Sequence, residues 1–600
     1  MLFFPPIEEN LGRRNMLNQS QEAAASHGSG PCLVVAGPGS GKTTVLTERI
    51  CYLVNTLHIP EESILVVTFT REAATEMRRR YLWKAKSKET KVTFGTFHSI
   101  FFQILKEEAN YTTADIISGS KQVGLLEECR RKLGLQAGLA ELNEEEKGRL
   151  HRLYRQQKDR RHLLDFDDMI HKTGELFHAH PKVLAKWQQR FRYFLVDEMQ
   201  DMSDGQYEIL RLMASPLNNL YMVGDDDQAI YGFRGANPGI MLGFERDYPD
   251  AKRIVLHINY RCRPAILTPS MKLIAHNEAR FEKEITAAAR KTGLVSYHGY
   301  PDPMTEAKAV ATKVEEFLAA EEKETIGILF RNRIQAIFVA EELRVREIAF
   351  SFKDSGNRLL KHFITADIRA YFRMACDTVY GEDLLMVANK PNRDIPRWCI
   401  SGKYIDLGGL AVSLCRDTTV STALRKLQKD VDVLSGLSPF AGLNYLLRGM
   451  GYEGYLRELA HKRGVSYEYY SGILEALLDL SKEFRDGSSF LAFLSSEEVE
   501  PVAQGNASCR VFLHTFHGAK GLEFDRVMIL DANEGVTPSK HVETEEGLEE
   551  ERRMFYVAMT RAKKELCISA VEKRQNELLY PSRFLKESGI YSTSDASSNI

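Results

Sequence analysis

The sequence has few of the features that mark secreted, zinc-binding or membrane-embedded proteins. Its 600 residues include 9 cysteines, none of which forms a C-x-x-C pair. This argues against a disulfide framework or a zinc ribbon and fits a reducing cytosol. No apolar run reaches membrane-spanning length, and the N-terminus MLFFPPIEEN lacks the basic and long apolar regions of a secretory signal. We therefore expect a cytoplasmic protein with no membrane partner.

Net charge is also nearly absent. The 80 basic and 82 acidic residues exclude a globally basic nucleic-acid coat but leave local patches open. One basic cluster comprises Arg71, Arg78, Arg79, Arg80, Lys84, Lys86, Lys88 and Lys91, and another Lys147, Arg149, Arg152, Arg155, Lys158, Arg160 and Arg161. A solvated helix face would explain either one. The length exceeds what one hydrophobic core supports, so we expect several globular domains.

A phosphate-binding pattern is the first strong positive signal. An apolar run from Pro31 to Ala36 ends in AGPGSGKTT, and apolar residues then recur at helical spacing, which predicts a strand, a loop and a helix. Glycines let the loop's N–H groups surround phosphate, and the helix N-terminus adds its positive dipole end. Lys42 would reach the β- and γ-phosphates, and the Thr43 hydroxyl would ligate Mg²⁺. The predicted loop residues are Ala36, Gly37, Pro38, Gly39, Ser40, Gly41, Lys42, Thr43 and Thr44.

Paired carboxylates follow a second predicted strand, Tyr193 to Val196. Asp197, at the strand end, would hold Mg²⁺ through water, and Glu198 would polarise the attacking water. Paired acids after a strand are also common as helix N-caps. The phosphate-binding loop upstream favours the catalytic interpretation.

A third segment, VGDDDQAIYGFRGA, follows the apolar run Leu220 to Val223. Its polar residues fall at a strand's carboxyl end, where open α/β sheets bind ligands, so Gln228 could sense a nucleotide. Tyr231, Phe233 and Arg234 alternate with glycines, and aromatic rings beside a guanidinium hold single strands without sequence preference. The alternative is a Gly-rich surface loop whose aromatics fold back into the core.

Taken together, these segments resemble motifs I, II and III of superfamily 1 helicases, specifically the UvrD/Rep/PcrA family. Other segments are similar to further motifs of that family: LNQSQEAA (17–24) to the Q motif, VTFTREAATEM (67–77) to motif Ia, FGTFHSI (94–100) to Ib, NYRC (259–262) to IV, TFHGAKGLEF (515–524) to V and EEERRMFYVAMTRA (549–562) to VI. The chain departs from the family at Met199, where an aromatic is common, and at Phe233, where tryptophan is frequent. The second departure predicts weaker stacking.

The resemblance implies roles for individual residues. Gln21 would read the adenine edge, Tyr260 would stack on adenine, and Glu523 would join the nucleotide-binding set. Arg261 would reach the γ-phosphate, and Arg561 would be an arginine finger, which must cross from another domain so that catalysis depends on closure. The implied DNA contacts are Phe69, Thr96, His98, Tyr231, Phe233, Arg234, Thr515 and His517, and the catalytic set is Lys42, Asp197, Glu198, Gln228, Arg261 and Arg561. Without the resemblance, His517 would be interpreted as a capped loop histidine.

The motifs imply an α/β protein with two RecA-like P-loop domains, 1A and 2A, each carrying a mainly helical insertion. Domain 1A would comprise residues 1–105 and 190–257, insertion 1B residues 106–189, domain 2A residues 258–378 and 508–590, and insertion 2B residues 379–507. A disordered tail is expected at 591–600. The second half has no phosphate-binding loop of its own, so one ATP would lie between the halves. Insertion 2B looks shorter than usual, and we expect no nuclease domain of the kind found in RecB or AddA relatives.

The leading hypothesis is an ATP- and Mg²⁺-dependent 3′ to 5′ DNA helicase and single-stranded DNA translocase in repair, recombination or replication. Its partners would be single-stranded and 3′-tailed duplex DNA, with the polarity supplied by resemblance alone. A second hypothesis makes the protein the motor or DNA-sensing subunit of a nuclease, repair or defence complex with protein partners. A third is a DNA-binding scaffold in which ATP acts only as a switch, although the intact Glu198, Gln228 and Arg561 argue against it.

Overall fold

The computed structural model describes residues 17–135, 142–320, 323–352, 360, 362–463, 467–482, 484–495, 509–574 and 577–591. Apart from Tyr591, the tail predicted at 591–600 lies outside these residues. The protein is α/β, and its two large sheets are parallel, with helices following their strands. Within the described ranges, no helix combines the length and apolar character needed to cross a bilayer.

The first sheet has six strands, which are β1 (Cys32–Ala36), β2 (Ile64–Thr68), β3 (Thr93–Thr96), β4 (Tyr193–Val196), β5 (Leu220–Gly224) and β6 (Lys252–Leu256). Their spatial order is β3-β2-β4-β5-β1-β6, and every neighbouring pair is parallel. The strands β1, β2 and β5 are buried along their whole length. Helices cover both faces of such a sheet, which explains why these strands are continuous apolar runs rather than alternating ones.

A short parallel pair, β7 (Ile258–Asn259) and β8 (Thr286–Ala287), follows the first sheet. The second sheet contains β9 (Leu294–Tyr300), β10 (Ile326–Phe330), β11 (Phe350–Phe352), β12 (Val511–Thr515), β13 (Phe524–Ile529) and β14 (Ala562–Val571). These six strands are also parallel, in the order β11-β12-β10-β13-β14-β9. A hairpin of β15 (Lys573–Arg574) and β16 (Glu577–Leu578) completes the strands. We call the two sheets with their packed helices the first and second lobes.

The helices before β9 are α1 (Gln19–Ala25), α2 (Lys42–Asn55), α3 (Arg71–Ala85), α4 (Phe97–Ala109), α5 (Ser120–Lys132), α6 (Glu144–Arg160), α7 (Phe166–Ala179), α8 (Pro181–Arg190), α9 (Asp204–Ala214), α10 (Gly239–Leu242), α11 (Phe244–Asp247) and α12 (Pro264–Ile274). Five of them, α4 to α8, lie between β3 and β4 in the chain. The first sheet is therefore interrupted by a helical segment.

The later helices are α13 (Pro303–Ala320), α14 (Arg333–Val345), α15 (Phe363–Cys376), α16 (Gly381–Val387), α17 (Leu407–Ser413), α18 (Thr418–Ser435), α19 (Pro439–Asn444), α20 (Tyr452–Arg463), α21 (Tyr467–Ser481), α22 (Gly487–Ser495), α23 (Glu545–Met559) and α24 (Arg583–Glu587). The run α15 to α22 separates β11 from β12. Its buried leucines and aromatics join the core beneath β10 and β12.

The polar residues that the sequence singles out lie at different edges of the two sheets. The Gly-rich loop, Asp197 and Gln228 follow the carboxyl ends of β1, β4 and β5. Glu523 and Arg561 instead directly precede β13 and β14, so they lie at the amino edge of the second sheet. The cleft between the lobes is thus bounded by the carboxyl edge of one sheet and the amino edge of the other.

Candidate nucleotide and nucleic-acid site

Two glycines of the phosphate-binding loop allow neighbouring side chains to approach it closely. Gly39 and Gly41 have φ values of +61° and +87°, a region that favours glycine. A Cβ at Gly39 would lie 2.6 Å from Cβ of Arg261, and one at Gly41 would lie 2.8 Å from Nε2 of Gln21. The loop conformation therefore depends on glycine at both positions. Lys42 begins α2 directly after this turn, so the N–H groups of the first turn face the loop.

The second lobe contacts this loop directly. Asn259 Nδ2 donates to the Pro38 carbonyl at 2.6 Å, and the Tyr260 N–H donates to the Gly39 carbonyl at 2.9 Å. The Tyr260 ring is half exposed, and its hydroxyl accepts from Asn18 Nδ2 at 2.8 Å. These bonds place motif IV against the loop.

Gln21 lies on the other side of the loop and is bonded at both ends of its side-chain amide. Its Nε2 donates to the Ser40 carbonyl at 3.0 Å, and its Oε1 accepts from the Asn18 N–H at 3.1 Å. The amide thus ties the start of α1 to the loop. Adenine recognition by Gln21 and Tyr260 stays a prediction.

The paired carboxylates face the loop lysine. Lys42 Nζ lies 3.5 Å from Glu198 Oε1, and Glu198 has a φ of 53°, an unusual conformation for a non-glycine residue that clusters at functional sites. Burial and the Glu198 carboxylate raise the pKa of Asp197. Burial would also raise the pKa of Glu198, but Lys42 and Lys520 outweigh it and lower that pKa.

The donor set fits a hydrated magnesium ion accompanying a triphosphate. One oxygen of Asp197 accepts the Glu198 N–H at 3.0 Å. Within the described part of the chain, its other oxygen and the Thr43 hydroxyl make no hydrogen bond as donor or acceptor, and oxygen ligands are those that Mg²⁺ prefers. Asp197 and Thr43 could therefore hold the ion.

A chain of hydrogen bonds joins the predicted base to the predicted arginine finger. Gln200 Nε2 donates to Glu198, and Gln200 Oε1 accepts the Asp225 N–H at 3.0 Å. Gln228 Nε2 donates to Asp225 Oδ2 at 2.6 Å, and Gln228 Oε1 accepts from Arg561 Nη2 at 3.1 Å. We call these five residues the relay. It crosses from the first lobe to the second through Gln228 and Arg561.

Arg561 is 1% exposed, and its guanidinium is held from several directions. It donates to the carbonyls of Val557 and Leu522 and to the Thr560 hydroxyl, at 2.9, 3.3 and 3.2 Å. Burial, with a contribution from nearby Arg261, lowers its pKa to about 9. The group is therefore pre-oriented toward the first lobe.

Arg261 and Glu523 form an ion pair at the same edge of the second sheet. Arg261 Nε donates to Glu523 at 2.9 Å, and Lys563 approaches the other carboxylate oxygen at 2.7 Å. Glu523 thus contacts two cations, and it reaches the nucleotide region through Arg261. Their predicted contacts with a triphosphate stay predictions.

Three consecutive aspartates, Asp225, Asp226 and Asp227, lie close enough to share a cation. The ammonium of Lys283 occupies that position, 2.5, 2.6 and 3.0 Å from their oxygens. Burial opposes its charge, but the aspartates raise the pKa of Lys283. Arg280 adds a bidentate pair to Asp227 at 2.8 Å. This cluster anchors the segment after α12 to the relay.

The predicted strand-binding aromatics meet at the mouth of the cleft. The rings of Phe69 and Tyr231 stack 5.1 Å apart, and His517 lies 6.2 Å from Tyr231 and edge-on to Phe233 at 5.2 Å. Arg234 covers both Tyr231 and Phe233. Phe233 is 65% exposed, so the loop does not fold its aromatics into the core. Three separate motifs thus build one aromatic surface.

Burial lowers the pKa of His517 to about 4, with Arg331 and Arg234 acting in the same direction. The ring is therefore neutral at physiological pH. A neutral ring can stack on a base, but it contributes no positive charge to the binding of a phosphate group.

The remaining predicted strand contacts, Thr96, Thr515 and His98, are engaged by other parts of the protein. Thr96 caps α4, and the Thr515 hydroxyl accepts from the Gly518 N–H at 3.1 Å. His98 packs edge-on against Phe166 at 5.6 Å, and burial lowers its pKa. No ring contact joins His98 to Tyr231 among the described residues.

Lys520 is a connecting residue to which sequence reasoning gave no role, although it lies within TFHGAKGLEF. Its ammonium pairs with Asp201 at 2.6 Å, donates to the Gln228 carbonyl at 2.7 Å and lies 4.9 Å from the centre of the Tyr231 ring. It thus contacts the relay and the aromatic surface at once. The Gly232 N–H similarly donates to Glu550 of α23 at 3.2 Å.

The second basic cluster is partly neutralised within its own helical segment. Lys158 is buried between Asp165 and Asp168, and Arg155 and Arg161 pair with glutamates. These three cations are engaged with protein. The cluster therefore offers a nucleic acid fewer free charges than its sequence indicates.

The fold and the site define a P-loop nucleotide-binding protein with two parallel α/β lobes, consistent with two RecA-like domains. The chain matches the UvrD/REP helicase N-terminal domain over residues 17–145 and 113–249, and the UvrD-like helicase C-terminal domain over residues 254–408 and 469–573. The chain belongs to the UvrD family of helicases.

Its relatives match nearly the whole chain. It is 31% identical to YjcD of Bacillus subtilis over 95% of this chain and 80% of that protein. It is 31% identical to DNA helicase II of Haemophilus influenzae, and 29% identical to the ATP-dependent DNA helicase PcrA of Leuconostoc citreum. These matches cover 95% and 96% of this chain, and 86% and 85% of the relatives.

Proposed function

We propose that this protein is an ATP-dependent DNA helicase and single-stranded DNA translocase that moves 3′ to 5′ and acts in repair, recombination or replication. The observation that carries the proposal is the relay, which links Glu198 to Arg561 while the same loop supplies Tyr231 and Phe233 to the aromatic surface. A loop that contacts both sites can transmit the state of one to the other.

The domain division follows from the same elements. We propose that residues 1–105 with 190–257 and residues 258–378 with 508–590 form the two motor domains, and that 106–189 and 379–507 are insertions. Support comes from the strand composition of the two sheets, because each sheet draws on two separate stretches of chain.

In the proposed reaction, Lys42 and the loop N–H groups bind the β- and γ-phosphates of ATP. Thr43 and Asp197 would hold the accompanying Mg²⁺, which would neutralise charge on the phosphate oxygens. Glu198 orients a water for attack on the γ-phosphorus as the bond to the β–γ bridging oxygen breaks. Arg561 and Arg261 stabilise the charge that develops.

Hydrolysis would loosen the cleft, and Gln228 would pass this change to the aromatic surface. Stacking one base on an aromatic side chain is worth about 1–3 kcal/mol, whereas a step of DNA stacking is worth about 0.6–2.2 kcal/mol. Gripping a base and opening a pair are therefore comparable in energy. A strand held by Tyr231 and Phe233 could be retained while the next pair opens.

The test is ATP hydrolysis and unwinding with 3′-tailed, 5′-tailed and RNA substrates. We expect strand-stimulated hydrolysis and unwinding of the 3′-tailed DNA duplex alone. Equal unwinding of the 5′-tailed duplex would overturn the polarity, and absence of turnover with single-stranded DNA would favour a scaffold that uses ATP only as a switch.

A further inference from the structure

The exposed side of α3 carries several cations without an acidic partner in the part of the chain that the structure describes. Arg71, Arg78 and Lys86 are exposed, and none of them has an acidic partner among the described residues. Arg79 pairs with Glu76 at 2.8 Å but keeps half of its side chain exposed. This helix therefore presents cations that the fold has not neutralised.

An exposed tryptophan lies among these cations. Trp83 is 56% exposed, although large aromatic side chains are usually well buried. Arg79 precedes it by one helical turn and lies on its side of the helix, with Arg71 and Arg78 on the adjoining flank, and Lys86 caps the end of the helix three residues after it. We call these five residues the α3 face.

The α3 face is continuous with the aromatic surface. Phe69, which stacks on Tyr231, is followed by Thr70, the N-cap of α3, and Arg71 is the first residue of the helix. From Arg71 to Trp83 the helix rises by about 18 Å, at ~1.5 Å per residue. At the ~3.4 Å per nucleotide of a fully base-stacked strand, this length matches about five nucleotides.

We propose that the α3 face is an extension of the strand-binding site, on which the single strand continues beyond the cleft and stacks a base on Trp83. This inference rests on the proposed function. Aromatic rings beside guanidinium and ammonium groups bind single strands without sequence preference, and the unneutralised cations complement the phosphates. The α3 face holds the strand outside the motor and takes no part in hydrolysis.

The extension is tested by binding of oligothymidylates of two lengths, about 8 and about 20 nucleotides, to the full-length protein by fluorescence anisotropy. Trp83→Ala should weaken binding of the longer oligonucleotide by about fivefold or more and leave the shorter one unchanged. ATP hydrolysis stimulated by the shorter oligonucleotide should also be unchanged, which verifies the fold. Trp398→Ala is the matched control, because Trp398 is 74% exposed and lies remote in sequence from both surfaces.

The charges are tested by salt dependence. Replacing Arg78 and Lys86 together by glutamine should lower the slope of log affinity against log salt by about 1.4 for the longer oligonucleotide, since each phosphate contact on a single strand contributes about 0.7. The shorter oligonucleotide should show the wild-type slope. An unchanged slope for the longer oligonucleotide would overturn the proposed path.

Phe233→Ala separates this inference from the function on which it rests. It should weaken both oligonucleotides, because Phe233 belongs to the aromatic surface. If it does so while Trp83→Ala changes neither, the extension is wrong and the proposed function stands. If Phe233→Ala also changes neither, both fail. A Trp83→Ala effect confined to duplex DNA or to a protein ligand would equally overturn the extension.

Discussion

In the first lobe the carboxyl edge of the sheet carries the phosphate-binding loop after β1, the carboxylates after β4 and Gln228 after β5. In the second lobe Arg561, which bonds to Gln228, and Glu523, which pairs with Arg261, precede their strands. These nucleotide-site residues thus lie at opposite edges of two sheets of the same size and parallel arrangement, while Lys520, which also bonds to the first lobe, follows the carboxyl end of β12. The first sheet's edge supplies N–H groups and acids, and the second lobe supplies two arginines, one of them held by Glu523.

The carboxyl edge of the second sheet is filled by the protein's own polar groups. Glu306 accepts from the Ser569 hydroxyl at 2.5 Å and from the Asp531 N–H at 3.1 Å. Gln335 donates to Asp531 at 3.0 Å, and Arg574 pairs with the same carboxylate. This buried network takes the place that the phosphate-binding loop has in the first lobe. The comparison explains why the second lobe would contribute to an ATP site without forming one of its own.

The largest effect should come from removing the second lobe's contribution. Arg561→Ala should lower kcat of strand-stimulated ATP hydrolysis by about 10³- to 10⁵-fold, as for other arginine fingers. Arg583→Ala, in the same lobe and paired with Glu534, should leave kcat unchanged. Steady-state hydrolysis measures both, and a loss of less than tenfold in Arg561→Ala would refute its role.

Removing the proposed catalytic base of the first lobe should lower kcat somewhat less. Glu198→Gln should lower kcat by about 10²- to 10⁴-fold, because the attacking water loses its acceptor, while binding of ATP and of single-stranded DNA is retained. The control is Glu208→Gln, an exposed glutamate of α9. Undiminished turnover of the Glu198 variant would place the base elsewhere.

A substitution in the relay, which joins the two lobes, should uncouple ATP hydrolysis from strand binding. Gln200→Leu breaks the relay at Glu198 and Asp225, so the ratio of stimulated to basal hydrolysis should fall by about tenfold or more, the value of a hydrogen bond to a charged group. Adding Gln228→Leu to Gln200→Leu should lower this ratio little further, because both substitutions interrupt the same chain of hydrogen bonds. Additive losses would show that the two glutamines act independently.

The smallest effect concerns the free energy of unfolding, through Glu306 at the carboxyl edge of the second sheet. Burial and the Asp531 carboxylate raise the pKa of Glu306 from 4.5 to about 8. The contribution of Glu306 to the free energy of unfolding should therefore be greatest below pH 4.5. It should fall as the pH rises toward 8, because the unfolded chain then releases a proton that the folded chain keeps.

Glu306→Gln should flatten that fall, which urea unfolding at a series of pH values would measure. A variant that loses stability equally at every pH would mean that Glu306 is ionised in the folded protein. Glu316→Gln, an exposed position on the same helix, is the matched control.

Much of the first lobe's edge was predictable, because local patterns encode it. The strand at Tyr193–Val196 has the predicted bounds. The apolar runs Pro31 to Ala36 and Leu220 to Val223 correspond to β1 and β5, although β1 begins one residue later and β5 ends one residue later. Short apolar runs mark where a strand lies, but pairing with its neighbours in the sheet sets its ends.

The contacts across the cleft were less predictable. Gln200 and Asp225 lie in segments that the sequence singles out, but nothing in the sequence showed what they or Lys283 would contact. An ordinary polar residue becomes a link only through a partner distant in the chain. Lys283 occurs in a charged stretch, and its burial among three aspartates depends on how the lobes meet. The partly neutralised second basic cluster illustrates the same limit, since its acidic partners come from neighbouring helices.

The most direct test of a site shared by opposite edges of one chain is ATP hydrolysis by an equimolar mixture of Lys42→Ala and Arg561→Ala proteins with single-stranded DNA. If both lobes of one molecule build the site, the mixture stays as inactive as either variant alone. Recovery of substantial hydrolysis would show that the arginine is supplied by a second copy, and would contradict the account.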